Sequence, residues 1–75
     1  MSQLIEEVRK ARALPSPKFA RAIRQSAGVS QVRLAAELGV HRMTIARWES
    51  GERRPQGQHL LAYVALLHDL QGASE

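Results

Sequence analysis

Apolar residues recur along this chain at helical spacing, and nowhere do they alternate with polar ones as a strand would require. Leu4, Ile5, Val8 and Ala11 form one stripe and predict a first helix over 3–13, with Ser2 placed to cap it. Leu14-Pro15-Ser16-Pro17 is a stiff connector. Ser16 can cap the next helix with Pro17 at its first position, where the missing N–H has no helical partner to lose. Phe19, Ala20, Ile23 and Ala27 predict a buried stripe through 17–27, stopped by Gly28. Ser30 caps a third helix over 31–38, and a fourth spans 41–50, ended by Ser50-Gly51. Residues 52–56, ERRPQ, read as a basic loop closed by Pro55. A last helix covers 58–70 before a frayed QGASE tail.

The spacing is tightest over residues 31–50. Leu34, Ala35 and Leu38 point one way from the third helix, Gly39 breaks it, Val40 tucks in, and Ile45 and Trp48 close down from the fourth. Ala35 has to be small because the fourth helix crosses over it. Gly39 ends a helix in the left-handed conformation with no Cβ penalty. His41, Arg42, Met43, Ala46 and Arg47 remain outside, a face with two fixed positive charges. Two short helices crossing at such a turn form a helix-turn-helix, whose second helix is shaped to lie in a DNA groove.

Composition narrows the class. Seventy-five residues with a net charge of +4 and a pI near 10.7 suit one small domain with a modest core. With no cysteine there is no disulfide or thiolate metal site, which fits a reducing cytosol. The longest apolar run is far below a membrane span, and the opening MSQLIEEVRK lacks an apolar signal segment. The expectation is a soluble intracellular protein with no membrane contact. The charge is concentrated: residues 17–54 hold eight Lys/Arg against three Glu, and the residues from 55 on hold only Asp69 and Glu75. A positive field over the helix-turn-helix suits a polyanion.

Residues 18–55, through the string GVSQVRLAAELGV…TIARWESGERRP, resemble the helix-turn-helix domain of the lambda-type repressor and Cro (Xre-like) family of phage and bacterial regulators. The resemblance implies an all-α, five-helix lambda-repressor-like DNA-binding domain with an added N-terminal helix. One domain spans 1–75, with its DNA-binding core at 17–55 and its C-terminal helix at 58–70. Gln31 matches the position where the family commonly places a glutamine on a phosphate or the first base. Arg42 and Met43 begin the recognition helix. Arg42 is a bidentate donor to guanine or else a phosphate contact, and Met43 is a partner for a thymine methyl or an ordinary exposed side chain. Thr44 matches a phosphate-contacting hydroxyl. Arg47, one and a half turns after Arg42, reaches a base or the far strand. Arg53 and Arg54 fall where the family's loop grips the DNA backbone, against the plainer reading of a solvated turn. Arg24 and Glu49 match a partly buried family ion pair, and Glu49 reads as structural because a carboxylate facing DNA would be repelled.

Two departures stand out. His41 replaces the usual Ser or Thr cap, so the recognition helix is expected to fray or to be finished by DNA. An imidazole contact to a base there would make binding pH-sensitive. Ser30 is followed three residues on by Arg33, so no capping box forms, and Arg33 reads as a phosphate contact instead.

No nucleophile–base arrangement or Gly-rich phosphate loop points to an enzyme, and His41, His59 and His68 lack ligand spacing, so neither metal nor cofactor is expected. On the last helix Leu60, Leu61, Val64 and Leu67 face a core, while Tyr63, Leu66 and Leu70 widen the apolar arc past half the circumference. The arc reads as a helix sandwiched between the core and the N-terminal helix, or as a homodimer seam at Tyr63, Leu66 and Leu70. The function expected is a transcriptional regulator, a repressor, inserting helix 41–50 into the major groove of double-stranded DNA as a homodimer on an inverted repeat. Its place is the cytoplasm of a bacterium or of a phage-infected host. An antitoxin or restriction-modification controller, which binds DNA and a protein partner, is the alternative.

Overall fold

A computed structural model of the chain describes residues 2–73. Five α-helices follow one another, α1 (Gln3–Ala13), α2 (Pro17–Ser26), α3 (Gln31–Leu38), α4 (Arg42–Ser50) and α5 (Gly57–Ala73), with no strand among the described residues. The first three starts obey the local rules. Ser2, Ser16 and Ser30 accept the backbone N–H of Ile5, Phe19 and Arg33 at 3.2, 3.2 and 3.0 Å, relieving one orphan donor at each N-terminus. The α3 stop is Gly39, at φ 69°, whose N–H returns to the last turn of α3. Val40 then donates to the Ala35 carbonyl at 3.0 Å, which fixes the angle at which the chain leaves α3.

The helices close on a core of Ala20, Ile23, Leu34, Ala35, Ile45, Trp48, Tyr63 and Leu67, with Leu14, Val29, Leu38, Val40, Leu66 and Leu70 packed partly buried against it. α4 packs on α3 and α2, α5 covers α2 and α3, and α1 packs on α5. Ile45 is fully buried where α4 crosses the others.

Several expectations need correction. α1 buries none of its residues: Leu4 is 68% exposed and Ile5 and Val8 are each 43% exposed. Its stripe points to solvent because the half-buried residues in the body of the helix are the polar Glu6, Glu7 and Lys10. Phe19 is 52% exposed, outside the α2 stripe. Tyr63 is a core residue rather than a seam residue, 2% exposed, its ring centroid 4.8 Å from that of Trp48. α5 does not fray at 70 but continues through Gln71 and Gly72 to Ala73; residues 74 and 75 of the expected tail lie outside the described residues.

Candidate nucleic-acid interface

Burying Ile45 and Trp48 leaves the opposite face of α4 outside, with Arg42, Met43 and Arg47 exposed and Thr44 and Ala46 half-buried. His41 is extended, at φ −76° and ψ 146°. Its Nδ1 accepts the Met43 N–H at 3.0 Å, while its carbonyl accepts that of Thr44 at 2.9 Å. The imidazole therefore caps α4 within the protein, and the expected need for DNA to finish the helix is not met. An accepting Nδ1 puts the proton of a neutral ring on Nε2, leaving a donor for an outside acceptor.

Below this tip runs a chain of hydrogen bonds from core to surface. Arg24 reaches Glu49 through Nε (2.6 Å) and Nη2 (2.9 Å), and its Nη1 donates to the Val29 carbonyl at 2.8 Å. Arg24 and Glu49 are each 7% exposed, so this is a buried bidentate pair. The hydrogen bond to Glu49 holds the guanidinium above its usual range. Gln31 then donates from Nε2 to Glu49 Oε1 at 3.1 Å and accepts Arg42 Nη1 on Oε1 at 3.2 Å. Arg42 also leans on the Met43 sulfur, Nη2 to Sδ 3.3 Å. The resemblance expects Gln31 on a phosphate or the first base of DNA; with both ends of its amide held, it also ties the recognition side chain Arg42 to the core pair.

The C-terminal half of α4 opens onto a cleft of about 460 Å³, lined by Thr44, Arg47, Trp48, Arg53, Arg54, Pro55, Gln56 and His59. Three guanidinium groups, a hydroxyl, an amide and an imidazole surround this one basic concavity. The loop carrying Arg53 and Arg54 is anchored by Pro55, which is buried, and by the Arg53 N–H on the Arg47 carbonyl at 3.2 Å.

This geometry agrees with the comparison to known proteins. A family model described as helix-turn-helix matches residues 21–68, more than half the chain. The chain belongs to the lambda-repressor-like helix-turn-helix family. Neither a curated relative nor a solved structure matches it. The match spans α3, the turn and α4, as well as Arg24, Glu49 and the Arg53–Arg54 loop, and it leaves out α1.

A lambda-repressor-like helix-turn-helix regulator binds DNA. Of the residues anticipated for that task, the structure gathers Arg42, Met43, Arg47 and His41 on the outer side of α4 and Thr44, Arg53 and Arg54 around the cleft. Arg33 stands apart. Its Nη1 pairs with Glu37 at 3.0 Å, and it lines a different groove of about 230 Å³ with Val29, Leu34, Glu37, Leu66 and Leu70. Gln56 and His59 went unrecognised because they lie in the loop and the first turn of α5. Only tertiary folding brings these positions beside Thr44 and Arg47. No helix among the described residues is long and apolar enough to cross a membrane.

Proposed function

We propose that this chain is a sequence-specific transcriptional regulator, a repressor acting as a homodimer on a short inverted repeat, with α4 in the major groove. The observation that carries the reading is the division of α4: Arg42, Met43, Arg47 and His41 on its outer side, with the cleft of Arg53, Arg54 and Thr44 at its rear. Base-reading side chains at the tip and phosphate-gripping ones behind give sequence discrimination and affinity separately. On this reading the protein works on double-stranded DNA in the cytoplasm of a bacterium or a phage-infected host.

One such unit reads only a few base pairs, whereas two units on a two-fold axis put their recognition helices about 34 Å apart in successive major grooves. With Tyr63 withdrawn into the core, Leu66 and Leu70 beside the groove against α3 remain the proposed seam. The second reading is a controller that also binds a protein partner, such as an antitoxin or restriction-modification controller. The exposed Leu4, Ile5 and Val8 of α1 favour it, since they offer such a partner an apolar strip.

The experiment is selection of bound sites from random DNA, followed by titration of single variants. Arg42→Ala is expected to weaken the selected site by about 1–3 kcal/mol and random DNA little. Arg53→Ala is expected to weaken both alike and to lower the salt slope by about 1. Equal weakening of both sequences by Arg42→Ala would make Arg42 a phosphate clamp and overturn its base-reading role.

A further inference from the structure

The loop that grips the backbone contains an acid. Glu52 stands one residue before Arg53, where a free carboxylate would repel the phosphates that its neighbours attract. The fold aims it elsewhere. Ser50 Oγ donates to the Arg47 carbonyl at 3.1 Å and accepts the Glu52 N–H at 3.3 Å. The Arg53 N–H falls on the same carbonyl at 3.2 Å. Gly51, left-handed at φ 81°, supplies the reversal between them. Residues 50–53 are thereby folded back on the last turn of α4, and Glu52 Oε2 comes to lie 3.3 Å from Arg47 Nε. Arg47 lines the basic cleft and Glu52 does not.

We propose that Glu52 is an internal anion that competes with DNA for Arg47 and thereby sets the specificity of this interface. It rests on the DNA-binding function proposed above. The two side chains are about half and two-thirds exposed, so the pair is weak and exchangeable. On random DNA, Arg47 has only a phosphate to gain and a nearby carboxylate to leave, so it stays with Glu52 and adds no ionic contact. At the specific site a base edge or a well-placed phosphate offers the guanidinium two acceptors in fixed geometry, and Arg47 transfers to it. Glu52 thus lowers binding to non-specific sequence while leaving the specific complex largely intact.

The test measures affinity and salt dependence of the full chain on random-sequence duplex and on the selected site. Glu52→Gln keeps the shape of the side chain and removes its charge. It is expected to tighten random DNA roughly two- to fivefold, to steepen the salt slope there by about 1, and to tighten the selected site less. Arg47→Ala in the parent is expected to weaken the selected site, and in the Glu52→Gln background to cancel the gain on random DNA. Glu37→Gln makes the same change of net charge on the α3–α5 groove and is expected to leave both affinities alone. The proposal is overturned if Glu52→Gln leaves random DNA unchanged, if it tightens both duplexes equally, if Glu37→Gln matches it, or if the gain survives Arg47→Ala. Failure to select any site defeats the sequence-specific reading instead, and the random-DNA measurements still report on Glu52.

Discussion

Truncating Glu49 strikes the buried carboxylate on which Arg24 and Gln31 converge. Glu49→Ala removes a carboxylate that accepts two N–H bonds from Arg24, at 2.6 and 2.9 Å, and one from Gln31 at 3.1 Å. The guanidinium left behind belongs to a residue only 7% exposed, so it cannot regain water without opening the contact between α2 and α4. One acceptor survives, the Val29 carbonyl at 2.8 Å. Removing one partner of a buried pair costs about 3–5 kcal/mol, and the surviving bond places this case near the lower end, about 3 kcal/mol. A domain of this size has a total stability of roughly 4–11 kcal/mol, so the loss is between a quarter and three quarters of it. Urea unfolding reads the change through the fluorescence of Trp48, which is buried against Tyr63, and through helical circular dichroism, with the midpoint falling at constant slope. The double variant Arg24→Met/Glu49→Leu strands no charge and is expected to recover most of the loss. A Glu49→Ala protein within about 0.5 kcal/mol of the parent, or a double variant as unstable as the single one, would refute the buried-pair argument.

Other expectations follow from single groups. The Tyr63 hydroxyl is buried with no hydrogen-bond partner among the described residues, so Tyr63→Phe should match the parent or exceed it by about 1 kcal/mol at neutral pH. Burial pushes the Tyr63 pKa up to about 12, above the ordinary value near 10. The raised pKa therefore leaves the fold's stability unaffected below about pH 10 and removes up to about 3 kcal/mol as pH rises through about 12. Urea midpoints of parent and Tyr63→Phe should diverge above about pH 10, and parallel curves would sink the assignment. Gly39→Ala should cost about 1–2 kcal/mol from backbone strain alone, because a Cβ there would meet no atom within 4 Å; a thermal melt showing a much larger loss would reveal crowding. Leu66→Glu/Leu70→Glu should sediment as a monomer that binds the full site without cooperativity, while Leu4→Glu/Val8→Glu should keep the dimer; the reverse outcome moves the seam to α1.

What the chain determined locally is the order of its helices, three of their four described N-caps in serine, and the turn between α3 and α4. Ser2, Ser16, Ser30 and Gly39 act within four residues of themselves, so their roles are legible without a fold. The outward face of α4 was legible for a related reason: Ile45 and Trp48 name the buried side, and helical periodicity assigns the rest. Tertiary structure decided everything that depends on which neighbour arrives. Periodicity finds the apolar stripe of α1 but cannot say that α5 meets its polar side, and it finds the wide arc of α5 but cannot say that Trp48 covers Tyr63. The Gln31 bridge joins positions 18 and 11 residues apart, and the cleft joins Thr44 on α4 to His59 on α5. A side chain's local pattern states what it can bury or donate; only the packing of helices against one another selects the partner.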